Sequence, residues 1–298
     1  MLAMDVVIAS CSLMPPGFGD DPKLLAALSE RGVEAQIRAW DDDSVDWSQP
    51  KLVAVRSTWD YTFMRDAFLV WTQRIGGRLH NSHELVAWNS DKRYLADLAD
   101  LGLPTVETQF VSPGASWVLP NGEVVVKPTV SAGARDTGRF APDHHGKATD
   151  LVEAITSSGR TAMVQPFQAS VDSEGETALV FIDGEFSHSL RKRAVLSPDE
   201  VAPLSDEGPK AAKAMYEPDL VGPAEAADDQ LALAKRLLAE VEARFSYRPL
   251  YGRVDLLRGD DGAPVLLELE MVEPNLYFQH APEAAGRLAD AIALRLRA

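Results

Sequence analysis

Acids set into apolar strands near the carboxyl end are the first sign of chemistry in this chain. Tyr251 to Phe278 reads YGRVDLLRGDDGAPVLLELEMVEPNLYF. Two apolar runs, Val254 to Leu257 and Val265 to Leu269, flank a turn rich in Gly and Asp, the pattern of a β-hairpin. Asp255 lies in the first run. Glu268 and Glu270 lie in the second, two apart and hence on one face of a strand. Pairing about Asp260–Gly262 brings Asp255 to the same neighbourhood. Two carboxylates about 4 Å apart repel by roughly 4 kcal/mol at an effective dielectric of about 20. A hard divalent cation held through oxygen, most simply Mg²⁺ with Mn²⁺ as a substitute, relieves that cost. A salt-bridged hairpin with one acid facing water is the plainer alternative.

A second group is cationic. Lys127 sits in the apolar run VVVKP, and a buried lysine needs an anion. The loop after it, Thr129 to Gly138, carries Ser131, Gly133 and Gly138, small residues that let backbone N–H groups approach phosphate oxygens. Arg135 and Arg139 add charge there. The spacing is not that of the G-x-x-x-x-G-K-[ST] phosphate loop, and an exposed hairpin loop is the bland alternative. Lys92, at the start of a helical stretch, is dipole-unfavourable unless it meets an anion. Arg191, Lys192 and Arg193 form a basic cluster at a strand end, either solvated or clamping an anion. Arg253 shares a strand face with Asp255, so it is either that acid's partner or a contact for transferring phosphoryl oxygens. Zinc-ligand spacing, an H-E-x-x-H helix and a G-x-S-x-G nucleophile elbow are all missing from the sequence. Cys11 reads as a small buried thiol at a strand end.

These side chains need elements to hold them. Val6–Ser10, Val33–Ala39 and Leu52–Val55 read as strands, with a helix at Lys23–Arg31 ending at Gly32. That order predicts a small open parallel α/β domain, whose ligands approach the carboxyl ends of the strands. There the chain carries Cys11-Ser12 and Arg56-Ser57-Thr58-Trp59-Asp60-Tyr61. Helices are expected at Phe63–Ile75, Asp91–Leu101, Asp150–Ser157, Leu231–Phe245 and Ala284–Leu296. Strands are expected at Val124–Pro128 and Ala162–Phe167, and Thr177–Ile182 with Glu185–Arg191 form a hairpin across Asp183-Gly184. Ser197 to Asp229, rich in Pro, Ala and charge, reads as a long loop or lid. The reading predicts three parts: residues 1–90, a central 91–168 and a C-terminal 169–298.

Composition excludes some partners. A net charge of −16 argues against general nucleic-acid binding and against an anionic membrane surface. The start, MLAMDVVIAS, reads as a first strand because it lacks a basic n-region and carries Asp5. A single cysteine rules out an intrachain disulfide and fits a reducing cytoplasm.

Taken in order, Lys92, VVVKP with Lys127, the small-residue loop, AMVQPF at Ala162–Phe167, Gly175-Glu176, Arg253-Val254-Asp255 and Glu268-Leu269-Glu270 resemble the ATP-grasp superfamily of carboxylate–amine ligases. The resemblance covers nearly the whole chain and implies an α/β (α+β) ATP-grasp fold: an open N-terminal α/β domain, a small central lid, and a C-terminal mixed-sheet domain, with ATP between the last two. It implies ATP-phosphate contacts from Lys92, Lys127, Ser131 and Gly133. It implies an adenine hinge at Gln165, Pro166 and Phe167, and ribose contacts from Glu176 or else Glu174. Asp255 and Glu268 would be Mg²⁺ ligands; Glu270 stands where the family usually has Asn, which leaves its metal role open. Arg253 would stabilise an acyl phosphate and its transition state. Substrate contacts are expected from Arg56, Ser57, Asp60 and Tyr61, with Arg191 and Asn275 reaching across. RSTWDY and ELEMVEPNLYF are similar to the subgroup containing the O-ureidoserine cyclo-ligase of D-cycloserine biosynthesis, implying intramolecular ring closure. An intermolecular ligase joining two small molecules and a non-catalytic nucleotide sensor are the competing readings. The implied partner is a small amino-acid-like molecule, with a homodimer left open.

Overall fold

Val6–Ser10 (β1) and Leu52–Ser57 (β3) are buried at every position, whereas Ala35–Ala39 (β2) alternates between half-buried and exposed. That contrast is what a parallel sheet covered on both faces requires of its inner and edge strands. The order is β2-β1-β3-β4, with Leu79–His80 as β4, and all pairings are parallel. Asp21–Glu30 (α1) and Arg65–Ile75 (α2) make the crossovers, followed by His83–Asn89 (α3) and Tyr94–Asp100 (α4). The computed structural model describes residues 5–13, 19–197, 199–202, 217 and 219–297.

The second sheet is antiparallel, in the order β5-β8-β6-β7: Gln109–Val111, Val124–Pro128, Gly138–Phe140 and Ala162–Pro166 are β5 to β8. Strand alternation divides β6. Val124 and Val126 enter a core with Val152 and Ile155 of the helix His145–Ser157 (α5), so Val125 and Lys127 turn to the other face.

The third sheet follows the short helix Ser170–Ser173 (α6). Its strands are Glu176–Ile182 (β9), Glu185–Lys192 (β10), Val221–Pro223 (β11), Tyr251–Arg258 (β12) and Pro264–Glu270 (β13), in the order β11-β10-β9-β12-β13. Asp183 and Gly184 both take positive φ (50° and 75°), as a two-residue hairpin turn with the twist of its strands demands. One face of this sheet (Leu179, Phe181, Val254, Leu256) packs on Asp228–Phe245 (α7) and α4. On the other face, Val180, Ile182 and Tyr251 join a core made by Pro282–Arg295 (α8), α1 and β1. Further along β12 that second face carries Arg253 and Asp255 instead. The same side of one strand therefore runs from core to polar floor.

Differences from the expected elements are local. The Phe63–Ile75 helix is a 3₁₀ turn, Trp59–Phe63, followed by α2 from Arg65. Lys92 precedes α4 rather than opening it. Short β4, β5, β7 and the seven-residue α3 had no pattern long enough to predict. Of the expected lid, residues 198, 203–216 and 218 lie outside the described residues, and Asp228 already begins α7.

His80 gives the fold a pH signature. Its Nδ1 lies 2.8 Å from the Tyr247 hydroxyl and 3.0 Å from Nη1 of Arg295, which also binds Asp183 at 2.7 Å. Burial, then the Arg295 charge, lowers the imidazole to about 4. The folded value lies below that of the unfolded chain, so the unfolded chain takes up the proton first. The stability contribution is complete above about pH 6.5 and falls as pH drops toward 4, by up to about 3 kcal/mol. Urea titrations of wild type and His80→Gln between pH 7 and 4 should show a shallower acid loss in the variant; parallel curves would contradict this.

Candidate active site

A cleft of about 500 Å³ lies where the three sheets meet. Its floor is the β12–β13 hairpin. Arg253 pairs with Glu270 and Asp255 with Glu268 across the strands, so all four point to one side. A bulge between Asp255 and Leu256 sets this register. Lys127, Ser131 and Gly133 of the second sheet and its loop line the opposite wall.

The floor is a chain of ion pairs. Arg253 grips Asp255 with Nε and Nη2, each at 2.9 Å, and its Nη2 also bonds Glu270. Lys192 bridges Asp255 at 2.7 Å and Glu176 at 2.6 Å. Lys92 lies 3.1 Å from Glu268 and donates to the Ser131 carbonyl at 2.9 Å. Burial opposes ionisation of Asp255, but Arg253 and Lys192 hold it well below the ordinary carboxylate range. Burial likewise opposes the charge on Glu268, and Lys92 and Lys127 outweigh it. Glu270 goes the other way: burial, with Glu268 and Asp255 nearby, pushes it up to about 7 despite Arg253. The Lys127 ammonium has no hydrogen-bond or ion-pair partner among the described residues, and burial lowers its pKa.

Not every anticipated residue faces this space. Lys92, Lys127, Ser131, Gly133, Gln165, Pro166, Phe167, Glu176, Arg253, Glu268, Glu270, Asp60, Tyr61 and Asn275 line the cleft. Asp255 is beneath them, 1% exposed. Arg191 does not reach in: its guanidinium binds the Glu174 carbonyl at 2.6 Å, and Glu174 is outside the lining too. Arg56 gives Nη2 to the Pro274 carbonyl (2.8 Å) and lies over the Tyr251 ring, its Nε and Nη1 buried without a hydrogen-bond partner among the described residues, and Ser57 bonds Asp21. Both are buried away from the cleft, where they hold β3 to the segment after β13. The Phe167 N–H, expected to meet adenine, donates to the Glu123 carbonyl at 2.8 Å. Its ring lies 3.5 Å under the Arg139 guanidinium, itself held by Glu123 and Asp172. The Thr129–Gly138 loop is tied down: Arg135 reaches Thr62 and the Trp59 carbonyl, and Thr137 and Arg139 bond residues 202 and 200 through backbone.

From the basic cluster Arg191–Arg193 the sequence singled out Arg191, but the residue that reaches the site is Lys192. Counting back from the Asp183-Gly184 turn sets Arg191 opposite Glu176. A bulge between Phe186 and His188 shifts the register by one, so Lys192 takes that place. Gly175 permits the approach, since a Cβ there would meet the Lys192 carbonyl at 2.4 Å.

The donors suit a hard cation and a polyphosphate. No three acids among the described residues form a ready metal cluster, and Glu268, Asp255 and Glu270 are each held by a lysine or arginine. Glu268 and Glu270 nevertheless retain side-chain exposures of 25% and 29%, and carboxylate oxygen is the ligand Mg²⁺ prefers. The raised Glu270 shows a floor still short of positive charge. The Lys127 ammonium faces that floor with no ion-paired anion among the described residues.

A family model for the N-terminal domain of D-cycloserine synthetase DcsG matches residues 6–81. The cycloserine biosynthesis protein DcsG of Streptomyces lavendulae is 36% identical over 292 residues, 93% of this chain and 94% of that protein. The chain belongs to the D-cycloserine synthetase family. The crystal structure of D-cycloserine synthetase DcsG superposes with a TM-score of 0.85 at 33% identity, over 98% of this chain and 99% of that one. The D-alanine–D-alanine ligase of Bacillus anthracis complexed with ATP gives a TM-score of 0.70 at 13% identity over 99% of each chain, which shows the ATP-grasp fold. The family member described here is thus an enzyme, a ligase, with a mixed α/β ATP-grasp architecture. No helix among its described residues is long and apolar enough to cross a membrane.

Proposed function

We propose that this chain closes O-ureidoserine to cycloserine at the expense of ATP. The observation that carries the reading is the alignment of Asp255 with Glu268 on the floor of a cleft whose facing wall presents Lys127. Membership of the D-cycloserine synthetase family supports the choice of substrate.

Glu268 and Glu270 would hold Mg²⁺, with Asp255 beneath them once it releases Lys192. The bound cation would neutralise phosphate charge and orient the γ-phosphoryl group. Lys127, Lys92 and Lys192 offset the remaining charge on the triphosphate, with Ser131 and Gly133 close by on the loop. Gln165, Pro166 and Phe167 would frame the adenine through groups other than the spent Phe167 N–H, and Glu176 would take the ribose hydroxyls. Arg253, fixed by Asp255, Glu270 and the Asn275 carbonyl, would place its positive charge beside the transferring phosphoryl group, where preorganised positive charge is worth most. The substrate carboxylate is thereby activated as an acyl phosphate. The nitrogen of the same molecule's aminooxy end then attacks the carbonyl, and phosphate leaves with the former carboxylate oxygen. One water removes the ureido group as CO₂ and ammonia. The Arg135 ties would keep the cleft closed, which an acyl phosphate needs because water destroys it. Asp60, Tyr61 and Asn275 are the substrate contacts we retain. In the same proposal, residues 1–90, 91–168 and 169–298 act as substrate-side, lid and catalytic parts of a cytoplasmic enzyme.

ADP release with O-ureidoserine as sole amino-acid substrate is the test. One ADP per cycloserine formed is expected with no second substrate. A requirement for a second amine assigns the chain to intermolecular ligation, and nucleotide binding without turnover in any mixture assigns it to sensing.

A further inference from the structure

Once the polar contacts of the cleft are assigned, Asp60 keeps the Trp40 indole N–H on Oδ1, with its Oδ2 unpaired among the described residues. Two charged side chains among the described residues that line the cleft have no hydrogen bond or ion pair to another residue. One is Lys127, on the nucleotide wall. The other is Glu273, three residues past Glu270 and 9% exposed. Among the described residues its carboxyl meets only its own backbone N–H, while its carbonyl accepts the Trp59 indole N–H at 3.1 Å. The neighbouring cations are engaged elsewhere: Arg135 with Thr62 and the Trp59 carbonyl, Lys92 with Glu268 and the Ser131 carbonyl. Burial, then the nearby Glu270, pushes Glu273 up to about 8. A buried carboxyl without a cation is costly, and evicting it would be easy for a chain that did not use it.

We propose that Glu273 receives the α-ammonium group of the substrate. The inference deepens the ligase reading and rests on it. An α-amino acid carries its ammonium one carbon from the carboxylate that is to be activated. The receptor for that ammonium must therefore adjoin the phosphoryl-transfer floor without belonging to it. Glu273 meets this condition, because it follows β13 directly and faces Tyr61 and Trp59 of the first domain. An arriving ammonium supplies the positive charge this corner lacks and turns a costly acid into a charge-assisted pair. A molecule without the ammonium leaves the acid buried and unpaired, so the site rejects it.

The test compares O-ureidoserine with its des-amino analogue, 3-(ureidooxy)propanoate, by ADP release. Wild type should prefer the amino acid by on the order of a hundred-fold in kcat/KM. Glu273→Gln should reduce that preference to within a few-fold and leave the KM for ATP unchanged. Glu273→Asp, which keeps the charge on a shorter arm, should keep the preference and raise the KM for O-ureidoserine. An undiminished preference in Glu273→Gln overturns the ammonium role alone. If Glu273→Gln does not fold, an unchanged KM and preference in Glu273→Asp overturns it. Failure of wild type to release ADP with any amino acid overturns the ligase reading beneath it.

Discussion

Replacing Glu268 with glutamine should lower kcat by on the order of a thousand-fold while nucleotide affinity is partly kept. The glutamine side chain preserves volume and leaves an amide oxygen for Lys92, whose Nζ lies 3.1 Å from the native carboxylate. The fold should therefore survive, and a circular-dichroism melt should stay close to wild type. What is lost is one anionic oxygen facing the cleft, and with it the capacity to hold Mg²⁺ against the transferring phosphoryl group. Alanine is the poorer variant. It strands a buried lysine, at a cost of about 3–5 kcal/mol when one partner of such a pair is removed. Stopped assays at varied Mg²⁺ would read the result directly. Normal turnover of Glu268→Gln at low Mg²⁺ would show that the acid does not hold the metal.

Lys127→Met should raise the KM for ATP by about 10- to 100-fold, the worth of one or two charge-assisted hydrogen bonds to phosphate. The apo protein should lose no stability, and its melting midpoint should rise slightly. This opposite sign follows from the absence of an ion-paired or hydrogen-bonded anion at the Lys127 side chain among the described residues: burial outweighs the more distant attraction of Glu268 and Glu176, so a bound anion is needed to offset it. Methionine matches the lysine stem and removes the penalty. A variant that melts lower than wild type and binds ATP equally well would make Lys127 a structural residue.

The residues behind these two predictions were legible in sequence because alternation fixes which side of a strand a residue occupies. Val125 and Lys127 leave the α5 core as the VVVKP pattern requires, and Glu268 and Glu270 share a face two residues apart. Bulges were not legible. Simple counting from the turn at Asp260–Gly262 sets Asp255 opposite Leu267; the extra residue in β13 moves Glu268 into that place. Glu270 meets Arg253 for the same reason. In β10 the extra residue exchanges Arg191 for Lys192. Each shift is one residue, and one residue reverses a side chain's face.

The N-terminal cluster failed differently. Arg56 and Ser57 sit at the carboxyl end of a parallel strand, where ligands usually approach, yet neither lines the cleft, and Ser57 and one nitrogen of Arg56 bond the chain itself. Their partners, Pro274 and Asp21, are far away in sequence, and no local pattern announces such a contact. Asp60 and Tyr61, three and four residues past Ser57, do line the cleft. Glu273 had no signal beyond its place in the tail, because its significance lies in what it lacks.

The central claim is that this floor and wall together bind magnesium and a triphosphate. Isothermal titration with a non-hydrolysable ATP analogue, with and without Mg²⁺, tests it most directly. One site per chain is expected, tightened by Mg²⁺ in wild type, weakened at least ten-fold in Lys127→Met, and insensitive to Mg²⁺ in Glu268→Gln. Absence of binding in wild type, or binding that neither substitution alters, would contradict the account.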